Sequence, residues 1–298
     1  MTEPSPTAGP GAVAARRLAE RAREISDGRL TPAVPRDAAT VILLRDTAVG
    51  PEAFLLRRTA ELEFAPGACV FPGGSVDAHD ADEGVGWAGP GPADLRARLG
   101  VPPDRARALV CAAVRETFEE SGVLLAGSPL AGAPPVGNSA GLAGDRHALL
   151  AGATSLGEVL SRLGLVLRAD LLTPWARWIT PEASPQRFDT WFFAAALPPG
   201  QAATAAPEGF GDHGDPGESE SGMWLRPAAA LEAAQAGLIT LLPPTAVTLG
   251  ELAGHRDVAD ILARRRVITP RLPRVVVEEG RIRLAMPPAV EERPGERP

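Results

Sequence analysis

Residues 104–125, DRARALVCAAVRETFEESGVLL, constrain the fold of this chain more than any other stretch. At about 100° per residue, Val110, Ala113, Val114, Thr117 and Ser121 gather on one helical face of small and β-branched side chains, the kind that packs closely on a sheet. Asp104, after Pro102 and Pro103, is placed as the N-cap. Glu116, Glu119 and Glu120 fall on a second stripe, centred about 120° away by the same geometry. Like charges three and four apart oppose a helix by about 0.2–0.5 kcal/mol each, so a cation is expected beside them. Arg115 can reach Glu119, but one guanidinium cannot neutralise three acids. Hard divalent cations held by carboxylate oxygens would, which favours Mg²⁺ or Mn²⁺ over zinc because no His or Cys cluster accompanies the acids. A solvated acidic face with an intrahelical ion pair is the alternative for this segment alone.

The flanking sequence supplies a sheet for the helix to lie on. ATVILLRD (39–46) and EAFLLRR (52–58) read as two strands joined by a turn, and a third apolar run, 68–71, enters Pro72-Gly73-Gly74. That turn exposes backbone which only glycine leaves bare enough to touch a ligand or metal. Residues 81–103 and 126–147 are rich in Gly, Pro and small residues and read as a loop or lid, the first with a short helix at 94–99, and as a long connection. Ser155 with Glu158 forms a capping box that opens a helix to about Leu163. Strands are expected at 176–180, 188–196 and 223–225, helices at 13–25, 228–236 and 245–263, and a hairpin over 274–284 turning at Glu279 and Gly280.

Composition narrows the function. All 30 basic residues are Arg, set against 37 acids for a net charge of −7, which excludes a nucleic-acid backbone binder and means an anionic substrate needs local cations. The chain has no basic, apolar leader and no run of eighteen apolar residues, so neither a signal peptide nor a membrane span is expected. Cys69 and Cys111 sit in apolar surroundings and read as reduced, buried thiols of a cytoplasmic protein.

Gly74, Arg115, Glu116, Glu119, Glu120, Gly122 and Val123 resemble the signature of the Nudix hydrolases. Asp80 stands where the family has Glu, Thr117 replaces a bulky aliphatic residue, and a long insertion separates Asp80 from Arg115. That insertion, FAPGACVFPGG (64–74), and segments 173–181, 187–193 and 223–231 are similar to the branch of peroxisomal coenzyme A diphosphatases and their bacterial relatives. The resemblance implies an α/β fold, an α/β/α sandwich around a mixed sheet, with the insertion inside the box and added C-terminal helices. The likeness covers roughly 38–285, the expected catalytic domain with insertion 81–103 and polar loop 198–221, while the composition of the ends reads as an N-terminal tail and surface helix (1–37) and a disordered C-terminal tail (286–298).

By the same likeness, Glu119 and Glu120 would be principal metal ligands, with a carbonyl of Gly73 or Gly74. Glu116 would be a further ligand or the base that activates water, and Arg115 would hold it. Asp80 would be a ligand unless the insertion displaces it in favour of Asp104, and Glu218 or Glu220 could add an acid. Arg57, Arg58, Arg187 and Gly73 are the candidates for substrate contact; Phe64, Trp178 and Trp191 could stack on a base but equally suit a core. The implied activity is Mg²⁺- or Mn²⁺-dependent hydrolysis of a phosphoanhydride in a small nucleoside-diphosphate-linked substrate, coenzyme A or acyl-coenzyme A favoured. ADP-ribose or NADH hydrolysis and a catalytically silent nucleotide sensor are the alternatives, and homodimerisation is left open.

Overall fold

A computed structural model describes residues 10–59, 66–130, 133–137, 140–206, 219–278 and 281–286. The chain divides into two compact units, one of Met1–Asp37, Arg177–Thr190 and Thr269–Pro298, and a larger one of Ala38–Ala176 and Trp191–Ile268. The charged segment near the N-terminus forms α1 (Pro10–Ser26), in the smaller unit.

The larger unit is built on the hairpin β1 (Arg36–Thr47) and β2 (Gly50–Arg58), in register with Leu44 opposite Ala53. Val41, Ile42, Leu43 and Leu44 are all fully buried, as in a strand covered on both faces. β3 (Ala68–Val70) pairs antiparallel with β2, and the chain turns through Phe71 and Pro72 into β4 (Gly73–Ser75), which pairs with β1. The insertion contains β5 (Trp87–Ala88) and α2 (Pro92–Leu99), and α3 (Pro103–Ser121) carries the acidic stripe. Then follow β6 (Ala126–Gly127), α4 (Ala143–Leu150), α5 (Leu156–Leu163), β7 (Val166–Arg168), β8 (Thr173–Ile179), β9 (Phe188–Ala196), β10 (Ser219–Leu225), α6 (Pro227–Gln235), β11 (Thr240–Leu241), α7 (Pro243–Leu252) and α8 (Val258–Leu262). Strand order runs β11-β3-β2-β1-β9-β8, with β10 on β2 and β4 on β1. β11 lies parallel to β3 while β2 runs antiparallel to β1, so the sheet is mixed. β5, β7 and β6 form a small separate sheet.

Four sequence expectations change. Residues 81–103 are not an open lid: Val85, Leu95, Leu99 and Val101 are buried in the main core, because α2 docks on α3. α4 emerges where a loop was expected; it lacks an apolar stripe and buries only Leu149. The helix expected over 245–263 is two, since the chain breaks after Leu252 and restarts at Asp257, whose side chain caps α8 by accepting from the Asp260 N–H. Asp104 likewise sits in the first turn of α3 rather than at its N-cap, which is Pro102. The Ser155 capping box forms in both directions.

In the smaller unit β12 (Pro270–Arg271) lies parallel to β8, and β13 (Arg274–Glu278) pairs with β14 (Arg281–Ala285) in the expected hairpin, whose turn lies outside the described residues. Arg177 and Asp189 make a two-pronged ion pair at 2.8 and 2.6 Å. No helix among the described residues is long and apolar enough to cross a membrane.

Candidate active site

The sheet-facing stripe of α3 is buried as its pattern requires: Val110, Ala113, Val114, Thr117 and Ser121 show no exposed surface. The two hydroxyls on that face are satisfied within the helix, Thr117 Oγ1 donating to the Ala113 carbonyl at 2.6 Å and Ser121 Oγ to the Thr117 carbonyl at 2.5 Å. Thr117 therefore fits a position where an aliphatic residue was expected without leaving an orphaned polar group. With that face fixed on the sheet, the carboxylate stripe meets β4 and the 3₁₀ turn Ala78–Ala81.

At β4 the two glycines make a close approach. The Gly73 N–H donates to Glu120 Oε2 at 2.7 Å. A Cβ on Gly74 would collide with the Glu116 carboxylate, and one on Gly73 with the backbone of Thr40 in β1. The glycine turn and the acids are thus one site, as their separate sequence signals suggested.

Arg115 is the hub of the site. Its Nε and Nη2 donate to the two oxygens of Asp80 at 3.1 and 3.0 Å, and Nη2 also to the Ser75 carbonyl at 2.9 Å. Nη1 bridges Glu116 at 2.9 Å and Glu119 at 3.0 Å. Asp80 Oδ2 additionally accepts the Asp77 N–H at 2.7 Å, and the Asp80 side chain is 1% exposed. Asp80 is therefore brought to the site, but both its oxygens are engaged in holding Arg115, in place of the open ligand position expected for it.

The electrostatics follow from this crowding. Burial pushes the Glu116 carboxyl well above the usual carboxylate range; Arg115 opposes that, and the charges of Glu119 and Glu120 add to it. Burial also raises Asp80, with Arg115 pulling the other way. For Arg115 itself, desolvation works against the charge, but Glu116, Asp80 and Glu119 outweigh it and hold the guanidinium above its ordinary value.

Other expected residues lie elsewhere or serve the scaffold. Arg187, in the smaller unit, is buried and donates to the carbonyls of Thr180 at 3.0 Å and Ala33 at 2.7 Å, a structural role in place of the expected phosphate contact. Arg57 and Arg58 are consecutive on β2 and so point to opposite faces of the sheet; Arg57 is exposed. Asp104 is about 18 Å along the helix from Glu116 by helical rise, too far to replace Asp80. It lines a separate cavity of about 290 Å³ with Ala81, Glu83, Pro92, Pro103 and Arg107. Trp178 and Trp191 are core residues. Phe64, Glu218 and the Glu220 side chain lie outside the described residues. Sequence reasoning missed Arg146, whose Nε donates to the Glu119 carbonyl at 2.8 Å, and Thr204, whose N–H donates to the Ser121 carbonyl at 2.8 Å. No motif marks either.

A mixed sheet with a carboxylate-bearing helix against a diglycine strand, and an arginine locked among the acids, defines the class as a Nudix-type hydrolase. The model of the NUDT19 Nudix domain matches residues 93–252, more than half of the chain, and the chain belongs to that family. The match takes in α3 but begins after the glycine turn, which the structure itself places beside the acids. Among similar proteins, acyl-coenzyme A diphosphatase NUDT19 of Gallus gallus is 28% identical over 274 residues, 76% of this chain and 70% of that protein. The Homo sapiens protein of the same name is 29% identical, over 72% of this chain and 64% of its own length. A putative nudix hydrolase 7 of Caenorhabditis elegans is 30% identical, covering 74% of this chain and 62% of that protein. The chain thus spans less than two thirds of the human and worm relatives. A NUDIX hydrolase from Alicyclobacillus acidocaldarius has a solved structure that superposes with a TM-score of 0.61 at 27% identity, covering 79% of this chain and 98% of that one.

Proposed function

We propose that this protein hydrolyses a phosphoanhydride bond in a nucleoside-diphosphate-linked small molecule with the help of Mg²⁺ or Mn²⁺, coenzyme A or an acyl derivative being the favoured substrate. One observation carries the reading: Glu116, Glu119 and Glu120 crowd one flank of α3, and Glu116 lies in the space left by the missing side chain of Gly74. That donor set fits a hard divalent cation in kind and in charge, since Asp80, Glu116 and Glu119 all pair with the one guanidinium of Arg115 and Glu120 stands beside them at the Gly73 N–H. When bound, such an ion supplies charge neutralisation on the bridging and leaving oxygens of the anhydride.

The chain's own residues do the rest. Glu119 and Glu120 would hold the ion, with a carbonyl of the glycine turn. Glu116, held by Arg115 and desolvated against Gly74, is either a third ligand or the group that takes the proton of an attacking water. Asp80 fixes Arg115 in turn. The preference for coenzyme A derivatives rests on the two relatives named acyl-coenzyme A diphosphatase. Free, buried thiols at Cys69 and Cys111 suit a reducing compartment such as the cytoplasm.

The test is to incubate the protein with coenzyme A, ADP-ribose, NADH and diadenosine polyphosphates plus Mg²⁺ and to follow new monophosphates by mass spectrometry. Glu119→Gln and Glu120→Gln should each reduce turnover more than about tenfold, about 1.4 kcal/mol in barrier; smaller losses would show the metal assignment to be wrong. A silent nucleotide sensor is the second reading. In its favour, no three acid, His or Cys side chains among the described residues converge on one point, Glu116 and Glu119 being turned to Arg115. Calorimetry separates the two, because a sensor binds nucleotide without turnover, with or without metal.

A further inference from the structure

α3 ends in an arrangement that opposes itself. Its last turn carries Glu119 and Glu120 and no basic residue, so two carboxylates sit at the negative end of the helix dipole. The terminal carbonyls also need donors from outside the helix. Three of them have named partners: Phe118 accepts the Gly122 N–H at 2.8 Å, Ser121 accepts the Thr204 N–H at 2.8 Å, and Glu119 accepts Nε of Arg146 at 2.8 Å. Arg146 is itself anchored, since Nη2 donates to the Thr204 carbonyl at 3.0 Å and Nη1 to Thr204 Oγ1 at 3.4 Å. Residue 204 therefore ties both the helix end and the arginine that braces it.

Two further details show that Arg146 is placed for this contact. Gly122, at φ +71°, ends the helix, and a Cβ there would come to 3.0 Å from Arg146 Nη1, tighter than ordinary packing allows. Glycine at this position both permits the left-handed cap and leaves room for the guanidinium. α4, which carries Arg146, buries only Leu149, so apolar packing alone gives little reason for its position against α3. The charge of Glu120 acts favourably on Arg146 against the cost of its partial burial.

We infer that Arg146 is a positioning residue for the carboxylate pair: by bonding the Glu119 carbonyl it pins the last turn of α3, and so sets where Glu119 and Glu120 stand relative to Gly73 and Arg115. The inference rests on reading those carboxylates as metal-holding groups and extends the site beyond the box to α4 and the segment at Thr204.

The experiment measures Mn²⁺ binding to the full chain by electron paramagnetic resonance, alongside thermal unfolding, for wild type, Arg146→Met and Arg146→Lys. Arg146→Met should weaken Mn²⁺ binding about tenfold, the scale of one charge-assisted hydrogen bond, with a melting temperature close to wild type. Arg146→Lys should recover part of the loss, as it restores charge without the planar fork. Unchanged affinity in Arg146→Met overturns the inference. If Arg146→Met does not fold, Arg146→Lys decides: weakening beyond about threefold at an unchanged melting temperature supports the role, and wild-type affinity overturns it. Failure of the wild type to bind Mn²⁺ overturns the metal reading and this inference with it, whereas wild-type binding with an indifferent Arg146 overturns this inference alone.

Discussion

At Gly73 and Gly74 the site depends on what the residues lack. Glu116 lies where a Gly74 side chain would be, and the Gly73 N–H reaches Glu120 from a backbone pressed against β1. The Asp80–Arg115 pair works on the opposite principle. Asp80 accepts both prongs of the guanidinium and a backbone N–H, so losing Arg115 would strand the buried Asp80 carboxylate, whereas without Asp80 the guanidinium would still pair with Glu116 and Glu119. One helical turn before Arg115, burial and the Asp80 charge raise the Cys111 thiol to about 12 from 9.0. The unfolded chain then loses this proton near 9.0 while the folded chain keeps it, so stability falls as pH rises through that window. Urea unfolding between pH 9 and 11 should show a slope of up to about −1.4 kcal/mol per pH unit from this residue, missing in Cys111→Ala. Equal slopes in the two proteins would mean that the folded thiol ionises normally.

Among the elements, α3 and α5 were legible in the sequence for a local reason: the buried face of α3 and the capping box of α5 are each written within a single helix. Ser155 caps α5 by accepting the Glu158 N–H at 3.3 Å, and Glu158 returns a bond to the Ser155 N–H at 2.9 Å. Ser155→Ala should therefore cost about 1 kcal/mol, measured as a lower urea midpoint at unchanged slope; no change would mean that the box adds nothing once α5 is packed. α4 was illegible because AGDRHALL has neither an apolar stripe nor a capping side chain, and it is held partly by the polar bonds of Arg146. The split between α7 and α8 escaped notice because a single helical pattern bridges it, although Asp257 supplied a cap signal.

For the whole molecule, the insertion within the box is part of the core. It contributes Val85, Leu95, Leu99 and Val101, four buried side chains worth about 6–12 kcal/mol at about 1.5–3 kcal/mol each, against a typical total stability of about 5–15 kcal/mol. Replacing residues 83–101 by a short linker should abolish cooperative unfolding followed by circular dichroism; a variant that still unfolds cooperatively near the wild-type midpoint would make the insertion an appendage. The sequence by itself determined the acidic helix, the glycine turn, the strands that flank them and the family resemblance, because periodicity, capping and residue type are local properties. Only the tertiary structure decided that Asp80 serves Arg115, that Arg187 serves the scaffold, and that Arg146 closes the end of α3. The bonds concerned join residues 35, 154 and 27 positions apart, and their partners meet only once helix, sheet and connecting segments have packed.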